Sequence, residues 1–255
     1  MAKRYSKAAH AKRHKQTSHK IKNVIILIFC GAAIWFGCSL WHAARTLQTA
    51  HPAESIAGEE FRPQVGDPPY RVVIDAGHGG ADPGARGVLE EKNMTAATAA
   101  ELIRLLQQDA NLIPLQTRNS FDETATPAQR AARASEQSPQ LLLSIHGNSA
   151  ANGSTASGFE CYPSVPGRTW HQESFYFAQL LAEGMQASGA ALRGHGGVRY
   201  IYYLENDQKQ LVESTHTEIR EERSFTLLED VNCPAVLAEQ CFVTNAEDVE
   251  RFGSE

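Results

Sequence analysis

Along residues 70–250 the apolar positions fall in short blocks whose period switches between that of a strand and that of a helix. RVVIDAG (71–77) is a continuous apolar run closed by glycine, the pattern of a strand buried on both faces. Thr95 to Gln108 carries Ala99, Leu102, Ile103 and Leu106 at helical spacing. NLIPLQTR predicts a second strand and Pro127 to Ser135 a second helix. LLLSIH predicts a short, fully apolar strand and SGFECYP another. Trp170 to Ser188 predicts a long amphipathic helix with Phe175, Leu180, Leu181 and Met185 toward the core, and PAVLAEQCF a late strand. Strands alternating with helices predict an α/β fold, a single domain with a central mixed, mostly parallel sheet flanked by helices. Residues 204–224 (LENDQKQLVESTHTEIREERS) depart from this pattern. They are highly charged, with Leu204, Leu211 and Ile219 near seven-residue spacing, and predict an exposed helix on a thin apolar seam, inserted between core strands.

A different pattern precedes the domain. Val24 to Trp41 is an apolar run of about 18 residues, near the lower limit of about 17–25 for a membrane-spanning helix. Eight cations and no acid come before it, which predicts a cytoplasmic N-terminus by the positive-inside rule. The expected organisation is a basic cytoplasmic segment (1–23), a transmembrane signal anchor (24–41), a linker (42–69) and a domain (70–255) on the extracytoplasmic side of the cytoplasmic membrane. The alternative is secretion after signal cleavage. A cleaved signal has an apolar core of about 7–15 residues and a small-x-small exit, and WHAARTLQTAHPA offers no clean one. Lipidation of Cys38 is disfavoured by bulky Trp35 and Phe36 just before it.

Charge sharpens the division. The overall balance of −5 hides nine Lys/Arg in residues 1–45, and removing them from the total of 24 leaves 15 cations against 29 acids, −14, for residues 46–255. So acidic a domain argues against nucleic acid as a partner, since phosphate contact needs clustered cations. Of the five cysteines, Cys161, Cys233 and Cys241 fall in the domain; Cys233 and Cys241 flank a predicted strand, too far apart to pair, and buried free thiols are expected.

Chemistry concentrates where apolar strands end. VVIDAG runs into His78, LLLSI into His146 and AVLA into Glu239, while the loop GGADPGARGVLEEK ends in Glu90 and Glu91. Two imidazoles and a carboxylate with one open position form a recognised catalytic zinc set. The 67 residues between the histidines make no local metal motif. Hydrogen-bonded strand-end histidines therefore stand as the bland alternative, and either glutamate of the pair could complete a set. Glycines beside both histidines allow close backbone approach or simple turns.

VVIDAGHGGADPGARG, LEEK, TR, LLLSIHGNSA with SGFECY, and PAVLAEQCFVTN, in that order, resemble the zinc-dependent N-acetylmuramoyl-L-alanine amidases of bacterial cell walls. The resemblance covers nearly all of residues 70–250. It implies one catalytic Zn2+ on His78, Glu91 and His146, with Glu91 rather than Glu90 because it directly precedes Lys92, and Glu239 as the catalytic general base. It implies peptidoglycan as substrate, cleaved between the lactyl group of N-acetylmuramic acid and the L-alanine of the stem peptide. Asp75 and Asn148 are candidates for orienting the ligands, or else turn formers. Arg118, Arg130 and Arg133 are read as structural or solvated. Some relatives carry a helix that blocks the zinc until a protein activator moves it, so 204–224 is a candidate regulatory segment. Cys241 replaces a common glycine of the family, and the sequence stops at Glu255, soon after Asn245, where relatives usually continue into a closing helix, so either a less stable domain or a shortened last helix is expected. A non-catalytic wall-binding domain of the same fold, or a zinc hydrolase acting on another amide, are the rival readings.

Overall fold

A computed structural model describes residues 61–205 and 208–253. The expected cytoplasmic segment, signal anchor and most of the linker lie outside the described residues. Among those described, no helix is long and apolar enough to cross a membrane.

Among the described residues, seven strands and five helices are present. They run β1 (Tyr70–Ala76), α1 (Glu91–Leu106), β2 (Leu112–Gln116), α2 (Pro127–Glu136), β3 (Leu141–Asn148), β4 (Glu160–Pro163), α3 (His171–Ala187), β5 (Arg199–Tyr203), β6 (Lys209–Glu213), α4 (Thr226–Asp230), β7 (Ala235–Phe242) and α5 (Ala246–Phe252). Five strands form one sheet in the order β2-β1-β3-β7-β4. The first three pairings are parallel and β4 runs antiparallel to β7, so the expected mixed, mostly parallel sheet is present. Its central strands are buried without alternation: Val72, Val73 and Ile74, then Leu142, Leu143 and Ile145, then Ala235 to Ala238. That is what coverage of both faces demands. Val73, Leu142 and Leu237 pack with Ala131 and Ala134 of α2 and Leu227 and Leu228 of α4. Helix α1 buries Met94, Ala99, Leu102, Ile103 and Leu106.

Local chemistry explains the helix ends. Thr126 caps α2 by accepting from the Gln129 N–H while the Gln129 side chain accepts from the Thr126 N–H, with Pro127 at the first helical position. Asn245 caps α5 by accepting from Glu247 and Asp248. In α3 the buried residues are Ser174, Ala178, Leu181, Ala182 and Met185, whereas Phe175 and Leu180 are only half-buried. Cys161, Cys233 and Cys241 are buried and free, as expected. Burial pushes the Cys233 thiol up to about 12, so it stays protonated and inert.

Two expectations are corrected. Helix α1 starts at Glu91, not Thr95, so the glutamate expected at a loop end is the first helical residue. The stretch 204–224 is not a surface helix. Lys209–Glu213 forms β6, paired antiparallel with β5 in a two-stranded sheet. The seam on which a helix would have rested stays in solvent, with Leu211 43% and Ile219 77% exposed. So thin a stripe offers little burial, while RYIYY, rich in aromatic and β-branched residues, presents a strand edge that pairs the backbone of KQLVE. The rest of the segment is tied down by Arg168, which donates to the carbonyls of Arg220 and Glu222, and by the Tyr203 N–H donating to the Arg223 carbonyl.

Candidate active site

The parallel strands bring their carboxyl ends to one rim, and the rim carries the site. His78 follows β1, His146 sits near the end of β3, and Glu239 lies beside His146 in the β3–β7 register. Glu91 reaches them from the first turn of α1. One carboxylate oxygen of Glu91, Oε1, is 2.9 Å from Nδ1 of His146 and 3.1 Å from Nε2 of His78. One ligand atom from each of the three residues lies within 4.8 Å of the others. Glu91 is buried, whereas Glu90 faces outward to Arg86 at 3.1 Å. Of the two glutamates left open by spacing, the fold brings Glu91 to the histidines.

The donor set fits a zinc ion. Two nitrogens and a carboxylate oxygen converge, and the ring nitrogen of His78 not directed at the cluster has a partner of its own. Nδ1 of His78 is 2.8 Å from Oδ2 of Asp82, a bond that leaves Nε2 directed to the cluster. The N–H of Gly147 and that of Ala85 donate to the two oxygens of Glu91. Burial alone would raise the Glu91 carboxyl, but hydrogen bonds and charge from His146 and His78 hold it well below the usual carboxylate range. For His78, desolvation pulls the imidazole down, and Glu91 and then Asp82 outweigh it and raise it.

Glycine is required at two points of close approach. A Cβ on Gly77 would lie 2.5 Å from the His146 ring, and one on Gly84 would lie 2.5 Å from Oε2 of Glu91. His78 itself sits at φ 59, a conformation that costs a side chain roughly 1 kcal/mol. Arg118 holds that loop by donating to the carbonyls of Ala76, His78 and Glu123. The φ of Gly77 is ordinary, so Gly77→Ala should leave the fold intact while displacing the His146 ring. Zinc affinity is expected to fall about 10–100-fold, as for other changes that misorient a ligand, with thermal stability of the metal-free protein little changed. Titration against a competing chelator checks this.

Glu239 is chemically distinct. Its Oε2 is enclosed and has no hydrogen-bond partner, although the residue as a whole is partly exposed. Burial, then the charges of Glu91 and Glu160, pushes its carboxyl up to about 8. The site forms one side of a cavity of about 370 Å³ that also takes in Tyr203, Lys209 and Phe225.

The other candidates are placed as follows. Asp75 is buried but does not orient a histidine: it accepts from Thr117, Arg130 and Ser144, joining β1, β2, β3 and α2 beneath the rim. Asn148 lines the cavity but meets no histidine: it donates to Glu160 and accepts from the Ser149 N–H. Arg130 is a buried structural partner of Asp75, and Arg133 pairs with Glu123 at 2.6 Å. Sequence reasoning missed Asp82 and Glu160. Asp82 lies four residues past His78, and an acid so near a candidate ligand was a usable signal. Glu160 stands directly across from Glu239 in the β4–β7 register and is held by Arg199 at 2.9 Å and Arg193 at 3.3 Å. A charge inside the apolar strand FECYP was its only trace.

Residues 72–255 match the family described as N-acetylmuramoyl-L-alanine amidase, Amidase_3. The chain belongs to this amidase family. Among its relatives is the uncharacterized protein YqiI of Bacillus subtilis (strain 168), 33% identical over 227 residues, covering 87% of this chain and 89% of that protein. The N-acetylmuramoyl-L-alanine amidase CwlM of Bacillus licheniformis is 27% identical over 187 residues, 72% of this chain but 61% of its own length. Among solved structures, the N-acetylmuramoyl-L-alanine amidase of Clostridium difficile 630 superposes with a TM-score of 0.55 at 27% identity, over 70% of this chain and 83% of that one. The catalytic domain of CwlV from Bacillus (Paenibacillus) polymyxa var. colistinus gives 0.52 at 27% identity, over 70% and 84%. Membership accounts for hydrolase chemistry on peptidoglycan at the level of the family, for which zinc is the usual cofactor.

Proposed function

We propose that this chain is a zinc-dependent N-acetylmuramoyl-L-alanine amidase in which His78, Glu91 and His146 hold the metal and Glu239 carries the proton. The observation that carries the reading is the meeting of two imidazoles and a buried carboxylate beside a second carboxyl, Glu239, whose Oε2 has no partner. Zinc bound there supplies Lewis acidity, making a water molecule more acidic and a carbonyl more electrophilic. Glu239 accepts the proton of the attacking water, whose oxygen bonds to the lactyl carbonyl carbon of N-acetylmuramic acid. As the carbon–nitrogen bond breaks, Glu239 delivers the proton to the departing nitrogen of L-alanine. Its Oε2, which has no other partner, is free to take the proton in the first half of that exchange and return it in the second. Asp82 fixes the ring of His78, and Arg118 fixes the backbone that carries it. The basic N-terminal segment and apolar run fit a domain anchored on the membrane face where peptidoglycan lies.

Digestion of purified cell wall tests the reading. Mass spectrometry is expected to find peptides beginning with L-alanine and glycan strands that keep their length, with release stopped by a chelator and restored by zinc. Peptides cut elsewhere, or shortened glycans, would assign the site to another bond.

A further inference from the structure

We propose that Lys209 is a specificity-determining residue that grips a free carboxylate on the peptide side of the substrate, the α-carboxylate of the stem residue following L-alanine. The proposal rests on the amidase reading, which puts the stem peptide in the cavity. Lys209 opens β6 and lies opposite Tyr203 of β5. Both line the cavity, together with Phe225 and the metal cluster's own residues. The cation stands on a packed base. Its ammonium is 5.6 Å from the centre of the Tyr203 ring, which meets Phe225 edge-on at 6.0 Å, which in turn meets Tyr162 at 5.4 Å.

Of the other charged residues lining the cavity, Glu239 keeps an oxygen without a partner, and the remaining two are paired. Glu91 serves the histidines, and Arg130 is consumed by Asp75. Among the described residues Lys209 has no ion-pair partner within 4.0 Å, and its exposed side chain is close enough for its charge to act on Glu239. An exposed cation on the lining of a cavity that also holds Tyr203 and Phe225 matches a peptide with one anionic group near an apolar one. In the stem that pairing is the methyl of L-alanine followed by the carboxylate of an isoglutamyl residue. Where that carboxylate is an amide, the match is lost.

The test compares two stem peptides, L-Ala-D-isoGlu-L-Lys and its α-amide L-Ala-D-isoGln-L-Lys, by calorimetry on the zinc-loaded full chain. KM is measured on the matching muropeptides. The parent is expected to favour the carboxylate form about 5–20-fold, the range for a charge-assisted hydrogen bond at a partly exposed site. In Lys209→Met that ratio should fall to near one, and in Lys209→Arg it should persist. Equal binding of the two peptides by the parent, or a ratio unaltered in Lys209→Met, would overturn the proposal. A parent that prefers the carboxylate peptide yet releases no stem peptide from wall supports Lys209 while removing the amidase reading, so the two fail separately.

Discussion

Glu239→Gln is expected to lower kcat on peptidoglycan by about 10²–10⁴-fold, the usual contribution of a positioned general acid–base, with zinc content equal to that of the parent. The side chain is not among the three that converge as donors, so its loss should leave the metal site standing. Gln keeps the volume and cannot carry a proton. A variant that retained activity would show that another group moves the proton, and loss of zinc would show that Glu239 is a ligand. The metal-free protein offers an independent check through pH. The folded value of about 8 lies above the ordinary carboxylate value of 4.5, so the fold favours the protonated form. That favour is fully present below about 4.5 and is lost as pH rises through about 8. Metal-free Glu239→Gln should therefore match the parent in thermal stability near pH 4.5 and exceed it at pH 8.5, by about 1–3 kcal/mol. Equal stability at pH 8.5 would mean that the carboxyl is not held in its acid form.

The sheet was legible because its central strands β1, β3 and β7 are buried on both faces and read as continuous apolar runs. Helices α2 and α3 were legible for a similar reason, their apolar faces repeating at helical spacing over ten or more residues. The start of α1 was not, since Glu91, Lys92 and Asn93 are polar and only their position over the rim makes them helical. The hairpin of β5 and β6 was missed because seven-residue spacing in a charged stretch mimics a helix seam, and nothing local reveals that RYIYY waits to pair with it. In the site, strand ends pointed to His78, His146 and Glu239, but a fourth segment, the start of α1, meets them there. The choice of Glu91 over Glu90 came from family resemblance, and its physical basis, one side chain turned inward and its neighbour outward at a helix start, exists only in the fold. Asp75 was misjudged because adjacency in sequence to His78 says nothing of direction. It sits on a strand whose alternate side chains face opposite ways, and it points to Thr117, Arg130 and Ser144.

His146→Ala is expected to take the protein from about one zinc per chain to nearly none, since two remaining donors fall short of the three protein ligands that a catalytic zinc site keeps. Activity should vanish with the metal. Glu91→Gln should act almost as severely, by a different route. It keeps the shape but removes the one negative charge that the two imidazoles share, and a neutral amide is a far poorer partner for a dication. The same electrostatics set a pH dependence for the parent. In the metal-free protein His78 is raised above its ordinary 6.5, so its favourable pairing with Glu91 is fully present below about 6.5 and lost as pH rises through the raised value. Zinc needs the neutral imidazole and competes with that proton, and it meets least competition once the proton has gone. The gain in melting temperature on adding zinc should therefore widen from pH 6 to pH 8.5, and the widening should shrink in Glu91→Gln. A gain that was flat in pH would indicate a metal held by groups that do not titrate in this range, and the assignment of His78 would fall.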